Sequence, residues 1–302
     1  MNKFKIVLAL FVALFIFEAN TAVAQKNKGK KGKTKAKTSG ATTTTSSAPM
    51  VSAAVPDFEP VDPPVMDSLG YNTLSVRPVH KSDLMYKMAI WRKLDLQEKC
   101  NTPWFSQANQ ISKFLVEAVN RGDLTPYKDD SLVKKMSKEA FQSKLEDKTA
   151  SADAAAMGQG KVFLGSNKLY LMEIKEDLLF DKQRSRSYYD IQTISMILPA
   201  KYSGDKGAEL PIATFKYKDV VKLLDKIPNA KWYNISNKAE DKRMSDAFDL
   251  RLFCSRIIKM ANPGDRRIEE EVAYAGNTKA ILIASQRVEH EIVSKENDLW
   301  DY

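Results

Sequence analysis

Between residues 173 and 186 the chain carries its densest polar constellation: Glu173, Glu176, Asp177, Asp181, Arg184 and Arg186. Carboxylates at such separations can serve as general acid and base, or as ligands of a hard cation such as Ca²⁺. Their spacing matches no calcium loop, and Lys175, Lys182, Arg184 and Arg186 interleave with the acids. Mixed-sign clusters of this kind more often form salt-bridge networks or interface registers than active sites. A structural or assembly element is therefore expected. A hydrolase or metal-binding enzyme using the Glu173–Asp181 carboxylates is the alternative.

The remaining chemistry is sparse. His80 and His290 lie far apart, with no Cys or carboxylate at metal-ligand spacing. Cys100 and Cys254 permit one disulfide in an oxidising compartment, and a buried free thiol is the other reading. No glycine-rich phosphate loop, nucleophile elbow or zinc signature occurs. Neither a cofactor nor a metal is expected.

The elements that must position the cluster read as a mixture of helices and strands without βαβ alternation. Ser82 or Asp83 is expected to cap a helix toward Lys99, with Leu84, Met88, Trp91, and Leu94 or Asp95 at helical spacing and Pro103 marking its end. Gln107 to Arg121 carries a second apolar stripe of Ile111, Phe114 or Leu115, Ala118 and Val119, closed by Gly122 as a left-handed cap. Ser137 caps a short helix to Leu145, and Ala150 to Gly160 reads as a loop. Period-two patterning then predicts strands at Lys168–Glu173, Ser187–Leu198 and Ile212–Tyr217, with a turn at Gly204–Gly207. Helices follow at about 219–227, from an N-cap at Ser245 to Met260, and over Asn277–Asn297. The class is α+β, with a small antiparallel or mixed sheet.

The N-terminal quarter bears on where such a cluster would operate. Lys3 and Lys5 precede an apolar run from Ile6 to Phe17, and Ala22-Val23-Ala24 has the small-x-small form a signal peptidase accepts. Residues 1–24 are thus expected to be a signal peptide cleaved between Ala24 and Gln25. The run is short of the roughly twenty residues a spanning helix needs. No Cys follows the cleavage site, so no lipoprotein anchor is expected.

The formal charge is +9, of which the leader carries +1 and residues 25–56 carry +7. Residues 57–302 are left with +1, so the basicity belongs to a Lys/Thr/Ser-rich tail that is expected to be disordered. The tail lacks aromatics for base stacking, which argues against nucleic-acid binding. It suits an anionic surface better, as in a stand-alone envelope adaptor. Residues 57–80 open with Pro60, Pro63 and Pro64 just after Pro56, and read as an extended spacer or as a strap over a neighbour that buries Phe58, Val61, Val65 and Met66. Residues 81–302 form the folded body.

Three ordered segments of that body carry a resemblance. Tyr86-Lys-Met-Ala-Ile-Trp-Arg-Lys-Leu-Asp-Leu-Gln-Glu-Lys-Cys-Asn-Thr-Pro103 is similar to a Trp-Arg-x-Ile-Asp-Leu-Arg-Glu-Lys-x-Asn-x-Pro segment. Tyr170-Leu-Met-Glu-Ile-Lys-Glu-Asp-Leu-Leu-Phe-Asp-Lys-Gln-Arg-Ser185 is similar to Ile-Lys-Glu-Asp-Trp-x-Phe-Asp-Lys-x-Arg-Ser. The charged stretch from Ser285 ends in Asp-Leu-Trp-Asp-Tyr302, like an Asp-Leu-Trp-Glu-Tyr close. All three resemble the GldN/PorN family, the gliding-motility and type IX secretion proteins of Bacteroidota. Cys100 replaces a hydrophobic residue, Leu178 replaces Trp, and no Pro-Glu-Cys-Arg-like element follows Pro211.

The resemblance implies a non-enzymatic periplasmic scaffold on the inner face of the outer membrane. Such a scaffold assembles into a ring with an outer-membrane lipoprotein (the K component) and meets the periplasmic part of the inner-membrane motor protein M. Closed rings need head-to-tail contacts, hence two different patches on each subunit. Trp91, Arg92, Asp95 and Trp300 then join Glu173, Glu176, Asp177, Asp181 and Arg184 as the expected interface or structural network. Both tryptophans are expected to be largely buried, in the core or in a subunit contact.

Overall fold

The computed structural model describes residues 66–107, 109–147, 150–151, 161–203, 208–237, 239–271, 273–274 and 276–300. The signal segment with Ala24 and Gln25, the lysine tail and nearly all of the proline-rich run lie outside the described residues. So do the Gly204–Gly207 turn and most of Ala150–Gly160.

The strands, in chain order, are β1 (Leu84–Asp95), β2 (Phe105–Ser106), β3 (Asn109–Gln110), β4 (Leu171–Asp181), β5 (Arg186–Leu198), β6 (Leu210–Lys216), β7 (Lys231–Trp232), β8 (Lys242–Arg243) and β9 (Arg256–Met260). The helices are α1 (Ile111–Arg121), α2 (Lys138–Leu145), α3 (Tyr217–Lys226), α4 (Met244–Asp249) and α5 (Thr278–Trp300). Five strands form an antiparallel sheet in the order β6-β5-β4-β1-β9, and β2–β3 and β7–β8 are small separate ladders. The class is α+β, as the sequence predicts.

Local signals account for several boundaries. Gly122 ends α1 in the left-handed conformation (φ 88°), its amide reaching the Ala118 and Val119 carbonyls. The Ser137 hydroxyl accepts the Ala140 amide and starts α2. The hairpin between β4 and β5 turns on Asp181, whose Oδ1 accepts the Gln183 amide at 2.8 Å and the Arg184 amide at 3.3 Å.

One predicted helix is a strand, and another is a short helix, a loop and a strand. The stretch read as helical from Ser82 or Asp83 to Lys99 is one 3₁₀ turn, Lys81–Asp83, followed by the twelve-residue β1. Leu84, Met88, Trp91 and Leu94 fit a helical period, but Ile90, Arg92 and Leu94 fit period two as well. Pairing with β4 on one side and β9 on the other decides for the strand. The helix expected from Ser245 to Met260 stops at Asp249. Arg243 is its N-cap, and the Ser245 hydroxyl instead donates to Asp225 at 2.6 Å. Arg251 (φ 53°) breaks the helical path, and Cys254 is held by a disulfide to Cys100 with Cα atoms 6.1 Å apart. The Asn101 side chain accepts the Cys254 amide and donates to its carbonyl, which leaves 256–260 free to pair with β1. The cysteine alternatives thus resolve to a bridge.

Helices α1 to α4 share one large core with β4, β5 and β6, built on Trp104, Leu115, Phe141, Ile174, Ile194, Phe215 and Phe248. A smaller core, Ile90, Leu178, Ile257, Ile268, Ala284 and Ile292, seats α5. The α5 contacts recur at three- and four-residue steps, Ile281, Ala284, Val288 and Ile292, which is one face of a helix.

Candidate functional site

β1 and β4 are central neighbours, and their register sets the cluster in place: Lys93 opposite Glu173, Trp91 opposite Lys175, Ile90 opposite Glu176, Ala89 opposite Asp177 and Leu84 opposite Asp181. Because side chains alternate along a strand, Glu176 leaves the sheet on one face while Glu173, Lys175 and Asp177 leave on the other. The sequence-predicted cluster is therefore split into two sites.

On the helix-covered face Glu176 is fully buried between two arginines. Arg92 Nε donates to one carboxylate oxygen, and Arg251 Nη1 and Nη2 donate at 2.7 and 3.2 Å. The Arg251 guanidinium lies 4.3 Å from the centre of the Tyr189 ring, and Arg92 lies 5.6 Å from it on the same residue. Arg92 Nη1 also donates to Glu289 of α5 at 3.1 Å. The group sits between the two apolar cores and ties β1, β4, the 250–255 loop and α5 together. A buried carboxylate bonded by three donors from two cations is held ionised and shut off from solvent, so it is poorly placed to accept a substrate proton.

On the opposite face Trp91 is 9% exposed. Its indole donates to Asp130 at 2.9 Å, and the ammonium groups of Lys259 and Lys175 lie 4.2 and 5.1 Å from its ring centre. Burial pushes the Asp130 carboxyl up, but the indole N–H and Lys175 outweigh it and hold the group below the usual carboxylate range. Glu173 accepts from Arg267 at 2.9 Å, and burial raises its carboxyl against that pairing. Asp177 pairs with Lys87 at 2.9 Å. Among the described residues no group of three or more His, Cys, Asp or Glu side chains could hold a metal ion.

The outlying members do separate jobs. Asp181 is 2% exposed, holds the β4–β5 turn and pairs with Arg184 at 3.2 Å. The Asp95 side chain accepts the Gln97 amide at 2.8 Å and closes the turn after β1. Trp300 is not in the core: it is 55% exposed at the last turn of α5, where its ring meets Phe180 edge to face with ring centres 6.0 Å apart. It falls off the inner stripe of the helix, so a subunit contact is the part of its expected placement that stays open.

The cations that complete the network, Arg251, Arg267, Lys259 and Lys87, were not among the expected residues, nor was Asp130. They come from loops and strands distant in sequence, and no local spacing marks them. Only Asp181 and Arg184 pair within the short span where acids and bases interleave.

A family model described as gliding motility associated protein GldN matches residues 79–301. No curated protein matches the chain significantly.

Proposed function

Because the chain belongs to the GldN family of gliding motility associated proteins, we propose that it is a non-enzymatic scaffold subunit of the type IX secretion and gliding machinery. Its place in this reading is the periplasm, at the inner face of the outer membrane. There it forms a ring with the lipoprotein K component and meets the periplasmic region of motor protein M.

The observation that carries the proposal is the pairing of each central carboxylate. Glu173, Glu176, Asp177 and Asp181 each face an arginine or lysine, so the cluster spends its charge on holding strands, loop and terminal helix in register. A general acid or base needs an environment that leaves its proton available to a substrate. The Cys100–Cys254 bridge supports an exported, oxidising location. Among the described residues no helix is long and apolar enough to cross a membrane. Attachment to the outer membrane through a lipoprotein partner accommodates this.

Affinity purification of a tagged chain from the native envelope, after mild crosslinking, tests the reading. A lipoprotein and an inner-membrane motor protein in near-stoichiometric yield are the expected result. Recovery of the chain alone, as a monomer in detergent extract, would contradict it.

A further inference from the structure

One carboxylate of the open face is left out of the ionic pairing. Asp190 on β5 lies directly opposite Asp177 on β4, a like-charge cross-strand pair, and among the described residues the pair has one cation partner, Lys87, bonded to Asp177. Asp190 is bonded by neutral donors: the Ser75 hydroxyl at 2.9 Å and the Gln192 amide at 2.7 Å. Gln192, 4% exposed, accepts in turn from the Asn72 side chain at 2.9 Å. Ser75 is 1% exposed and also accepts the Arg77 amide at 3.2 Å.

These bonds seat the segment that leads into the fold. β6 pairs with β5 only over Thr193–Leu198, so Asp190 and Gln192 stand where the sheet has no further strand, and residues 72–77 lie against them. Other attachments of that segment run to the helices and the large core. Lys218 donates to the Thr73 carbonyl at 3.4 Å, Val76 packs on the large core, and Arg77, its side chain 82% exposed, pairs with Asp249 at 2.9 Å. Seating therefore depends on a carboxylate that feels Asp177 of β4 and Lys87 of β1, and whose charge also reaches Tyr217 of α3, itself bonded to Asp249 of α4 and near Arg77 of the segment.

We infer that residues 72–77 form a proton-governed clasp on β5, seated most firmly when Asp190 is protonated and loosened when it ionises. One proton relieves the Asp177–Asp190 repulsion and removes an unpaired buried charge without removing the Ser75 and Gln192 contacts. Burial foremost, and the Asp177 charge with it, raise the Asp190 carboxyl to about 6 against the Ser75 and Gln192 hydrogen bonds and Lys87. With the segment lifted, water reaches the group and its affinity for the proton falls toward that of an ordinary carboxylate. A carboxyl whose pKa is raised in the seated form stabilises that form fully below about pH 4. The contribution is lost as pH rises through about 6. Between pH 5 and pH 7.5 the seating equilibrium should change about tenfold.

Hydrogen exchange of the mature chain at pH 5 and pH 7.5, corrected for intrinsic rates, reads this directly. Amides in 72–77 should be about tenfold better protected at pH 5, while α1 (111–121) keeps the same protection at both. Asp190→Asn should hold the segment at the low-pH level at both pH values. If that variant does not fold, Asp177→Asn, which removes the opposing charge and frees Lys87, should shrink the pH difference. Equal protection in the wild type at the two pH values would overturn the inference, as would a pH difference that persists unchanged in Asp190→Asn or, failing it, in Asp177→Asn.

Discussion

On the helix-covered face of the sheet the Glu176 side chain is fully buried and meets Arg92 and Arg251, whose side chains are 9% and 29% exposed. On the open face Glu173 and Asp177 meet Arg267 and Lys87, whose side chains are 35% and 45% exposed. Glu176 and Asp177 are neighbours in the chain, yet strand alternation sends them into opposite surroundings. Water cannot compensate a carboxylate on the first face, so removing one partner there costs heavily. On the second face the carboxylates are 12% and 8% exposed and their partners reach solvent, so loss of a partner there should cost less. The comparison teaches that adjacency in sequence says little about what a charged residue contributes once a central strand separates its two faces.

The sharpest way to break the comparison is Arg92→Ala. Loss of one arm of a buried ion triad should destabilise the protein by about 3–5 kcal/mol, read as a shift of the urea midpoint at constant slope. Replacing Arg92, Glu176 and Arg251 together by apolar residues of similar volume should cost far less than Arg92→Ala alone. A single-site effect below about 1 kcal/mol would mean that water reaches Glu176 after all. A smaller effect is expected at the loop that carries Arg251. Cys100→Ser with Cys254→Ser opens a crosslink spanning 154 residues and should cost about 2–4 kcal/mol. Reduction of the wild type should reproduce the loss.

The smallest expected effect lies at the turn. Arg184 is 69% exposed, so its coupling to Asp181 in a double-mutant cycle should be about 0.2–1 kcal/mol. Charge reversal at both positions should recover part of what either reversal loses.

What was legible in the sequence follows the same division. The local devices could be read: Gly122 as a left-handed cap, Ser137 as an N-cap, and the β-branched run of β5. The helix α5 was also visible, because its apolar residues recur along a single surface. β1 was not, since Leu84, Met88, Trp91 and Leu94 satisfy a helical period. Its strand character is imposed by β4 and β9, which lie 76 or more residues downstream. The helix read from Ser245 to Met260 failed because a disulfide and the Asn101 side chain hold residues 250–255 in a loop. The carboxylates were recognised as a salt-bridge network from their interleaved charges, but most of their partners are long-range. Spacing within 173–186 could identify only Asp181 with Arg184.

The claim that these carboxylates form a structural network is tested most directly by titrating the purified mature protein with Ca²⁺ and with Zn²⁺ in a calorimeter, alongside Glu173→Gln and Asp177→Asn. The account predicts no stoichiometric binding by any of the three proteins. One equivalent of metal bound by the wild type and lost in Glu173→Gln or Asp177→Asn, with partner assembly intact, would contradict it.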